Sequence, residues 1–277
     1  MANTHAMTSS AITLTPDEHL ELPDETFRRL RVYNLVMGAL HFLSASLMLA
    51  LSNDFEVQVS SFTLNGPPGT PLADGSTSEV WAFPLAIGTA AFLYLSALFH
   101  FAVASSPGFA RYRDEITSGR NRFRWIEYSL SATLMIVLIC LVSGITDVAA
   151  LIAIAGANVA MILFGWIMEM VNPPQRVVYW SPFWFGCIAG IVPWAALVAS
   201  VAYSAARSTT GGPPGFVYGI IATIFIAFNT FAVTQYLQYR RIGRWSNYVF
   251  GESSYILLSL VAKSLLAWQI WANTLID

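Results

Sequence analysis

Seven long apolar runs, separated by short polar segments, constrain the fold of this chain more than any other feature. A membrane helix needs about 20 mostly apolar residues to cross roughly 30 Å of hydrocarbon. The runs fall near residues 30–51, 83–105, 123–145, 148–170, 182–204, 215–238 and 252–275. Charged residues make up 11% of the chain, against about 25% in soluble proteins. We therefore predict an all-α bundle of seven transmembrane helices, placed as a multi-pass protein in the lipid bilayer of the cell membrane.

Two segments follow from the charge distribution. Residues 1–27 are polar and acidic, and we expect a mobile cytoplasmic tail there. Residues 28–277 hold all seven runs, with no visible repeat and no linker to a second domain. The net charge of −2 is close to neutral and gives no reason to expect a nucleic-acid partner.

Basic residues predict the orientation, because cytoplasmic loops of membrane proteins carry an excess of lysine and arginine. One set of connections carries Arg28, Arg29, Arg31, Arg111, Arg113, Arg120, Arg122, Arg124, Arg176, Arg240, Arg241 and Arg244. The opposite set carries only Arg207. We therefore expect a cytoplasmic N-terminus and an extracellular C-terminus, the reverse of the usual seven-helix receptor.

The longest connection lies between the first two runs, at residues 52–79, on the predicted outer side. Val57 and Val59 alternate with polar residues, the alternation then breaks, and Phe62 and Leu64 resume it. The Asn65-Gly66 pair that follows is a turn signal. The pattern predicts a short β-hairpin, with an irregular loop as the alternative.

Lys263 is the one lysine of the chain, and it lies in the middle of the last apolar run. An ammonium group at the bilayer centre costs at least ~2.5–3.5 kcal/mol. Lys263 is about 18 Å along the helix from Gly251, at 1.5 Å per residue, so its stem cannot reach water. A desolvated amine is a nucleophile toward an aldehyde, which points to a Schiff-base lysine. A structural ion pair is the alternative.

Glu127 is the acidic residue best placed inside an apolar run to balance this cation. Glu169 and Asp147 lie at run ends, where we expect them at the interface. Hydropathy puts Glu127 near the inner edge of the third run and Lys263 near mid-membrane. We therefore expect the third helix to begin early, near Ser118 or Arg120, with Arg120, Arg122 and Arg124 at the headgroups or in a polar cavity.

Several other polar residues accompany this pair. Ser259 lies one helical turn before Lys263, and Ser131 lies one turn after Glu127, so either hydroxyl is placed to hydrogen-bond the pair. His41 and His100 are the remaining ionisable groups suited to share a proton. Cys140 and Cys187 lie in apolar runs and are read as small core residues. We predict no metal site.

Longer stretches resemble one family. Trp125-Ile126-Glu127-Tyr128, Met161-Ile162-Leu163-Phe164-Gly165-Trp166, the run from Pro182 to Trp194, and Leu258-Ser259-Leu260-Val261-Ala262-Lys263-Ser264 closely resemble the heliorhodopsins. The same holds for Asn65-Gly66-Pro67-Pro68-Gly69-Thr70 and Trp245-Ser246-Asn247-Tyr248. The resemblance runs from about Arg28 to the C-terminus and implies the inverted topology that the arginines also predict.

The resemblance implies the chemistry of the site as well. Lys263 would carry all-trans retinal covalently, with Glu127 as the counterion and Ser259 and Ser96 beside it. His41 and His100 would line an inner polar cavity. The pocket around the polyene is expected to comprise Met135, Asn158, Met161, Ile162, Gly165, Trp166, Trp184, Phe228 and Gln235. The family resemblance also implies a homodimer, to which the hairpin contributes.

The missing carboxylates favour a light sensor over a light-driven pump. An outward proton pump would need a second carboxylate three turns past the counterion, where this chain has Leu138, and an aspartate one turn before the lysine, where it has Ser259. We therefore expect a photoreceptor that signals to an unknown cytoplasmic partner without net ion pumping. A light-gated or light-driven ion transporter is the alternative. We expect no enzymatic activity, because histidines and carboxylates do not cluster as a membrane hydrolase requires.

Overall fold

A computed structural model describes residues 20–174, 177–209 and 211–276. Seven of its helices are long and apolar enough to span a membrane. These are α1 (Asp24–Ala50), α2 (Leu85–Ala104), α4 (Arg122–Val142), α5 (Val148–Val171), α6 (Ser181–Arg207), α7 (Gly215–Tyr239) and α8 (Tyr248–Ile270), which a π-helical turn extends to Leu275. The seven predicted spans are therefore confirmed, and the chain is a multi-pass membrane protein. Residues 1–19 of the expected tail, and Arg176, lie outside the described residues.

Short polar side chains set where several helices begin. Asn121 accepts a hydrogen bond from the backbone N–H of Arg124 and caps α4, and Asn247 does the same for the first turn of α8. Asp147 caps α5 by accepting from the N–H of Ala150. These caps satisfy N–H groups that have no partner inside their own helix.

The third span begins at Arg122, and the predicted start near Ser118 or Arg120 is wrong. A separate short helix, α3 (Ser106–Thr117), precedes it. Gly119 then turns the chain with a φ of +67°, a left-handed conformation that favours glycine. The two helices are therefore distinct, and α3 packs Tyr112 and Ile116 against the start of α1.

The expected hairpin is present between α1 and α2. Strand β1 (Glu56–Leu64) pairs antiparallel with β2 (Gly75–Pro84), and the register shifts between Val59 and Ser60. The broken alternation in the sequence coincides with this bulge. Ser60 also pairs with the α4–α5 turn, where its N–H donates to the Thr146 carbonyl at 2.9 Å. The strands are joined by a longer loop over residues 65–74 rather than by a tight Asn-Gly turn.

The helices enclose two different interiors. We call the end of the bundle with the hairpin and the α4–α5 turn the hairpin side, and the opposite end the arginine side. On the hairpin side, α2, α4 and α8 pack large apolar residues such as Phe92, Leu138 and Ile270. Toward the arginine side, the buried residues include many polar and charged ones. The candidate site lies between these two regions.

Candidate functional site

Lys263 and Glu127 form a buried ion pair between α8 and α4. The Nζ atom of Lys263 donates to Oε1 of Glu127 at 2.6 Å and to the Ser259 hydroxyl at 2.8 Å. Ser96 on α2 donates to the same carboxylate oxygen at 2.7 Å. Both charged side chains are less than one-tenth exposed. A buried charge is tolerated when it is paired and hydrogen-bonded, and here three hydrogen bonds among residues of α2, α4 and α8 meet that condition.

The difference in depth between Glu127 and Lys263 is absorbed by the lysine stem. Side chains on a helix lean toward its N-terminus. Lys263 follows this rule, since its amine reaches back to Ser259, one turn earlier. The amine therefore lies nearer the arginine side than the Cα of Lys263 does. This position lets the amine contact Glu127, although α4 begins only five residues before Glu127.

Three further residues expected near the pair lie close by. The Ser131 side chain lies beside the Glu127 carboxylate and is fully buried. His41 and His100 stack face to face, with ring centroids 5.6 Å apart and planes 14° apart. The Nδ1 atom of His100 lies 2.8 Å from the Asn34 side-chain oxygen. Both nitrogens of buried His41 lack a hydrogen-bond partner among the described residues.

An apolar cavity of about 660 Å³ has Lys263 in its wall. It runs between α4, α5, α6, α7 and α8, and aromatic rings such as Trp125, Tyr128 and Trp194 form much of its wall. Its volume lies within the roughly 300–1,000 Å³ of small-molecule sites. The cavity has one primary amine in a largely apolar wall, so it fits an apolar aldehyde.

The sequence carries the signature of one family over almost this whole structure. The heliorhodopsin family model matches residues 30–275. The chain belongs to the heliorhodopsin family. Heliorhodopsins are rhodopsins, so the chain is a retinal-binding photoreceptor whose chromophore is bound to a lysine. A comparison with curated proteins finds no match.

Solved rhodopsin structures share the heliorhodopsin chain's fold at low sequence identity. A light-driven proton pump from Leptosphaeria maculans is 16% identical with a TM-score of 0.61, covering 91% of this chain and 95% of that one. The transmembrane domain of Salpingoeca rosetta rhodopsin phosphodiesterase is 12% identical with a TM-score of 0.63, covering 90% and 86%. Cyanorhodopsin from Tolypothrix is 10% identical with a TM-score of 0.62, covering 92% and 96%. These matches establish the fold alone.

The heliorhodopsin cavity contains most of the predicted pocket residues. Those that line it are Met135, Met161, Ile162, Gly165, Phe228 and Gln235. Asn158, Trp166 and Trp184 do not line it. Asn158 donates to the Thr133 hydroxyl at 2.9 Å. Trp184 is 55% exposed on the outer face of α6, because it follows Phe183, which faces inward at 8% exposure.

Sequence reasoning missed some wall residues and a second charged site. The cavity is also lined by Tyr128, Cys187 and Tyr255. The sequence signal for these residues was their helical spacing from the residues predicted to form the site. Glu169 lies near the end of α5 and is buried inside the bundle, at 2% exposure. It pairs with Arg124, whose other nitrogen donates to Glu252 at 2.5 Å. No group of three or more metal-ligating side chains is assembled in the described part of the chain.

Proposed function

We propose that this heliorhodopsin is a light sensor that carries all-trans retinal on Lys263 and transports no ion. The observation that carries the proposal is the buried Lys263–Glu127 ion pair, whose lysine lines an apolar cavity. Lys263 would hold retinal covalently through its amine, as a Schiff-base linkage whose formation releases water. Bound retinal supplies light absorption and the change of shape that follows it.

The residues around the amine hold the charge of that linkage. Glu127 serves as the counterion, and Ser96 fixes its carboxylate from α2. Ser259, one helical turn before Lys263, orients the lysine nitrogen through its hydroxyl. Ser131 is a further polar neighbour of the Glu127 carboxylate. His41 and His100, stacked on the arginine side of this pair, are proposed to accept and share a proton.

The packing on the hairpin side supports a sensor rather than a pump. Leu138, the position where a pump would hold its second carboxylate, is fully buried among apolar side chains. The next turns of α8 bury Leu266 and Ile270. Ions do not cross a dry apolar layer without a polar path. Within the described residues, the side chains that α4 and α8 bury on the hairpin side of Lys263 are thus mostly apolar, which favours a sensor.

Orientation and assembly are part of the proposal. The arginine excess supports a cytoplasmic N-terminus and a single domain over residues 28–277, whose first helix extends back to Asp24, so that the last residues of the predicted tail are helical. The arginine side would then face a cytoplasmic signalling partner. A homodimer is supported by apolar side chains exposed on the hairpin, namely Phe62, Leu64, Leu72, Val80 and Trp81.

The visible spectrum tests the chromophore. Protein purified with all-trans retinal should show a visible band that Lys263→Ala abolishes, while Trp184→Phe, on the outer face of α6, should keep it. Retinal extracted in the dark should be all-trans. A well-folded wild type without a visible band would refute the proposal and leave Lys263–Glu127 as a structural ion pair.

A transport assay separates the sensor from the transporter alternative. Vesicles with oriented, retinal-loaded protein are illuminated while internal pH and membrane current are recorded, with an outward proton pump as the positive control. A sensor gives a photocycle with no steady pH change and no current. An uncoupler-sensitive pH change, or a current under an applied voltage, would establish transport instead.

A further inference from the structure

The arginine side of the bundle carries two groups of arginines that differ in charge balance. The first group, on α1, α3 and α4, forms ion pairs with nearby acids, namely Arg28 and Arg29 with Glu25, Arg113 with Asp24, and Arg122 with Glu115. The second group comprises Arg240, Arg241 and Arg244, between α7 and α8. The sequence around it contains no Asp or Glu from residue 170 to residue 251. Among the described residues, none of these three arginines forms an ion pair.

All three arginines of the second group are exposed, and aromatic rings hold two of them in place. The Arg240 guanidinium lies over the ring of Trp180, 5.0 Å from its centre. The Arg244 guanidinium lies over Phe250 at 5.5 Å. A guanidinium that stacks on a ring keeps the N–H groups at its edge free to donate. We call Arg240, Arg241, Arg244 and Trp180 the α7–α8 patch.

Arg241 has a backbone conformation that an arginine rarely adopts, with a φ of +54° in the left-handed region. The N–H of Arg241 donates to the Gln238 carbonyl and the N–H of Ile242 to the Leu237 carbonyl, each at 3.0 Å. These two hydrogen bonds end α7 in a Schellman motif, in which glycine usually holds the left-handed position. A side chain there is strained. Because such strain persists mainly where a residue is used, the charge of Arg241 is the feature that needs an explanation.

The patch lies where membrane spans begin and end. Arg240 directly follows α7, and Trp180 directly precedes α6. Tryptophan concentrates at the level of the lipid headgroups. Ile242, between the arginines, is 48% exposed, and an exposed apolar side chain beside basic ones suits the boundary between headgroups and acyl chains. These surroundings favour a lipid over a soluble acidic partner.

Phosphate is the anion that matches the patch. An arginine guanidinium binds phosphate oxygens through two parallel N–H···O hydrogen bonds. Basic residues at the ends of membrane helices attract anionic lipid headgroups. Phosphatidylcholine has a quaternary amine that cancels its phosphate charge, whereas phosphatidylglycerol has none. The uncompensated arginines therefore favour a headgroup of the second kind.

We propose that the α7–α8 patch binds the phosphate headgroup of an anionic lipid from the adjoining leaflet. Arg240 and Arg244 donate to the phosphate oxygens, Arg241 adds a third positive charge, and Trp180 holds the Arg240 guanidinium flat. The bound lipid bridges the end of α7 and the starts of α6 and α8. This inference goes beyond the light-sensing function and does not depend on it, because no residue of the patch lines the retinal cavity.

Native mass spectrometry of the full chain, released from nanodiscs of mixed phosphatidylglycerol and phosphatidylcholine, tests the site. The wild type should retain phosphatidylglycerol in preference. Arg240→Gln combined with Arg244→Gln should reduce this preference by about 5-fold per arginine, the factor that corresponds to ~1 kcal/mol for each basic residue near a membrane surface. Arg28→Gln combined with Arg29→Gln is the control, since it changes the net charge equally on the same side and should keep the preference. No preference in the wild type, or an equal loss in both double variants, would overturn the proposal.

Arg241→Asn separates lipid binding from the stability of the helix end. Asparagine is accepted at the left-handed position of a Schellman motif, so Tm in phosphatidylcholine nanodiscs should rise as strain is relieved. The wild type should be more stable in phosphatidylglycerol than in phosphatidylcholine, and this difference in Tm should become smaller in Arg241→Asn. A Tm lowered equally in both lipids would mean that Arg241 serves only the negative end of the helix dipole, and would overturn its part in the site.

Inorganic phosphate added to the phosphatidylcholine nanodiscs separates a lipid headgroup from a free anion. We expect no rise in the Tm of the wild type at a phosphate concentration equal to that of the phosphatidylglycerol headgroups. A rise as large as that caused by phosphatidylglycerol, and lost in the Arg240→Gln and Arg244→Gln double variant, would assign the patch to soluble phosphate and overturn the lipid proposal. Both readouts need no chromophore, so they remain interpretable if no visible band forms, a result on which the proposed function would fail.

Discussion

Replacing Glu127 by glutamine removes one charge from a buried pair and almost nothing else. The amide keeps the size of the carboxylate, and its oxygen can still accept from Ser96 and from the lysine amine. The lysine ammonium, which is 3% exposed, is left without its counter-charge. Breaking a buried pair in this way usually costs about 3–5 kcal/mol.

The chemistry of an amine sets an upper limit on that cost and makes it depend on pH. The variant can escape the unpaired ammonium by releasing its proton. For an ordinary lysine with a pKa of about 10.4, this release costs about 4.6 kcal/mol at pH 7 and about 1.9 kcal/mol at pH 9, at 1.36 kcal/mol per unit. The destabilisation by Glu127→Gln should therefore shrink as pH rises from 7 to 9.

The assay is thermal unfolding of the retinal-free protein at both pH values. At pH 7, about 4.6 kcal/mol corresponds to a fall in Tm on the order of 10–20 °C for a domain of this size. Lys263→Met and the double variant complete a double-mutant cycle, and the double variant should recover most of the loss because no charge remains unpaired. Equal losses at both pH values, or additive effects in the cycle, would refute the reasoning that a charged pair is buried here.

Three further predictions concern other parts of the fold. Arg124→Gln leaves two buried carboxylates without their cation and should cost about 3–5 kcal/mol in unfolding free energy, whereas Arg122→Gln, at a side chain 60% exposed, should cost less than about 1 kcal/mol; equal costs would contradict the buried network. Gly165→Ala places a methyl group against Trp125 in the cavity wall, and it should slow retinal uptake and shift the visible band. The control Gly156→Ala places its methyl group in open space and should change neither property. Hydrogen bonds from the backbone N–H groups of Ala150 and Phe62 lower the pKa of Asp147. The stabilisation by the Asp147 carboxylate is therefore complete above the ordinary aspartate pKa of about 3.9 and is lost as pH falls through the lowered pKa. Amide exchange in β1 should become faster in that lower pH range, and Asp147→Asn should remove this pH dependence.

The sequence by itself determined the seven spans, because crossing a bilayer demands long apolar runs that show in any hydropathy reading. It also singled out Lys263, since a lone lysine in mid-membrane has few explanations. The alternation around Val59 and Phe62 predicted the hairpin, and the structure adds a bulge where that alternation breaks. These features depend on local composition and spacing along the chain, which is the information a sequence displays directly.

The tertiary structure decided which polar groups meet. No sequence pattern indicated that Arg124 lies between Glu169 and Glu252, because these residues come from three different helices and the rotation of each helix in the bundle is set by packing. For the same reason Trp184 was expected in the pocket but faces outward. The contact between Glu127 and Lys263 depended on how far a flexible lysine stem reaches back along its helix. A buried charge is stabilised or penalised by atoms within a few ångströms, and only the folded arrangement of helices determines which atoms those are.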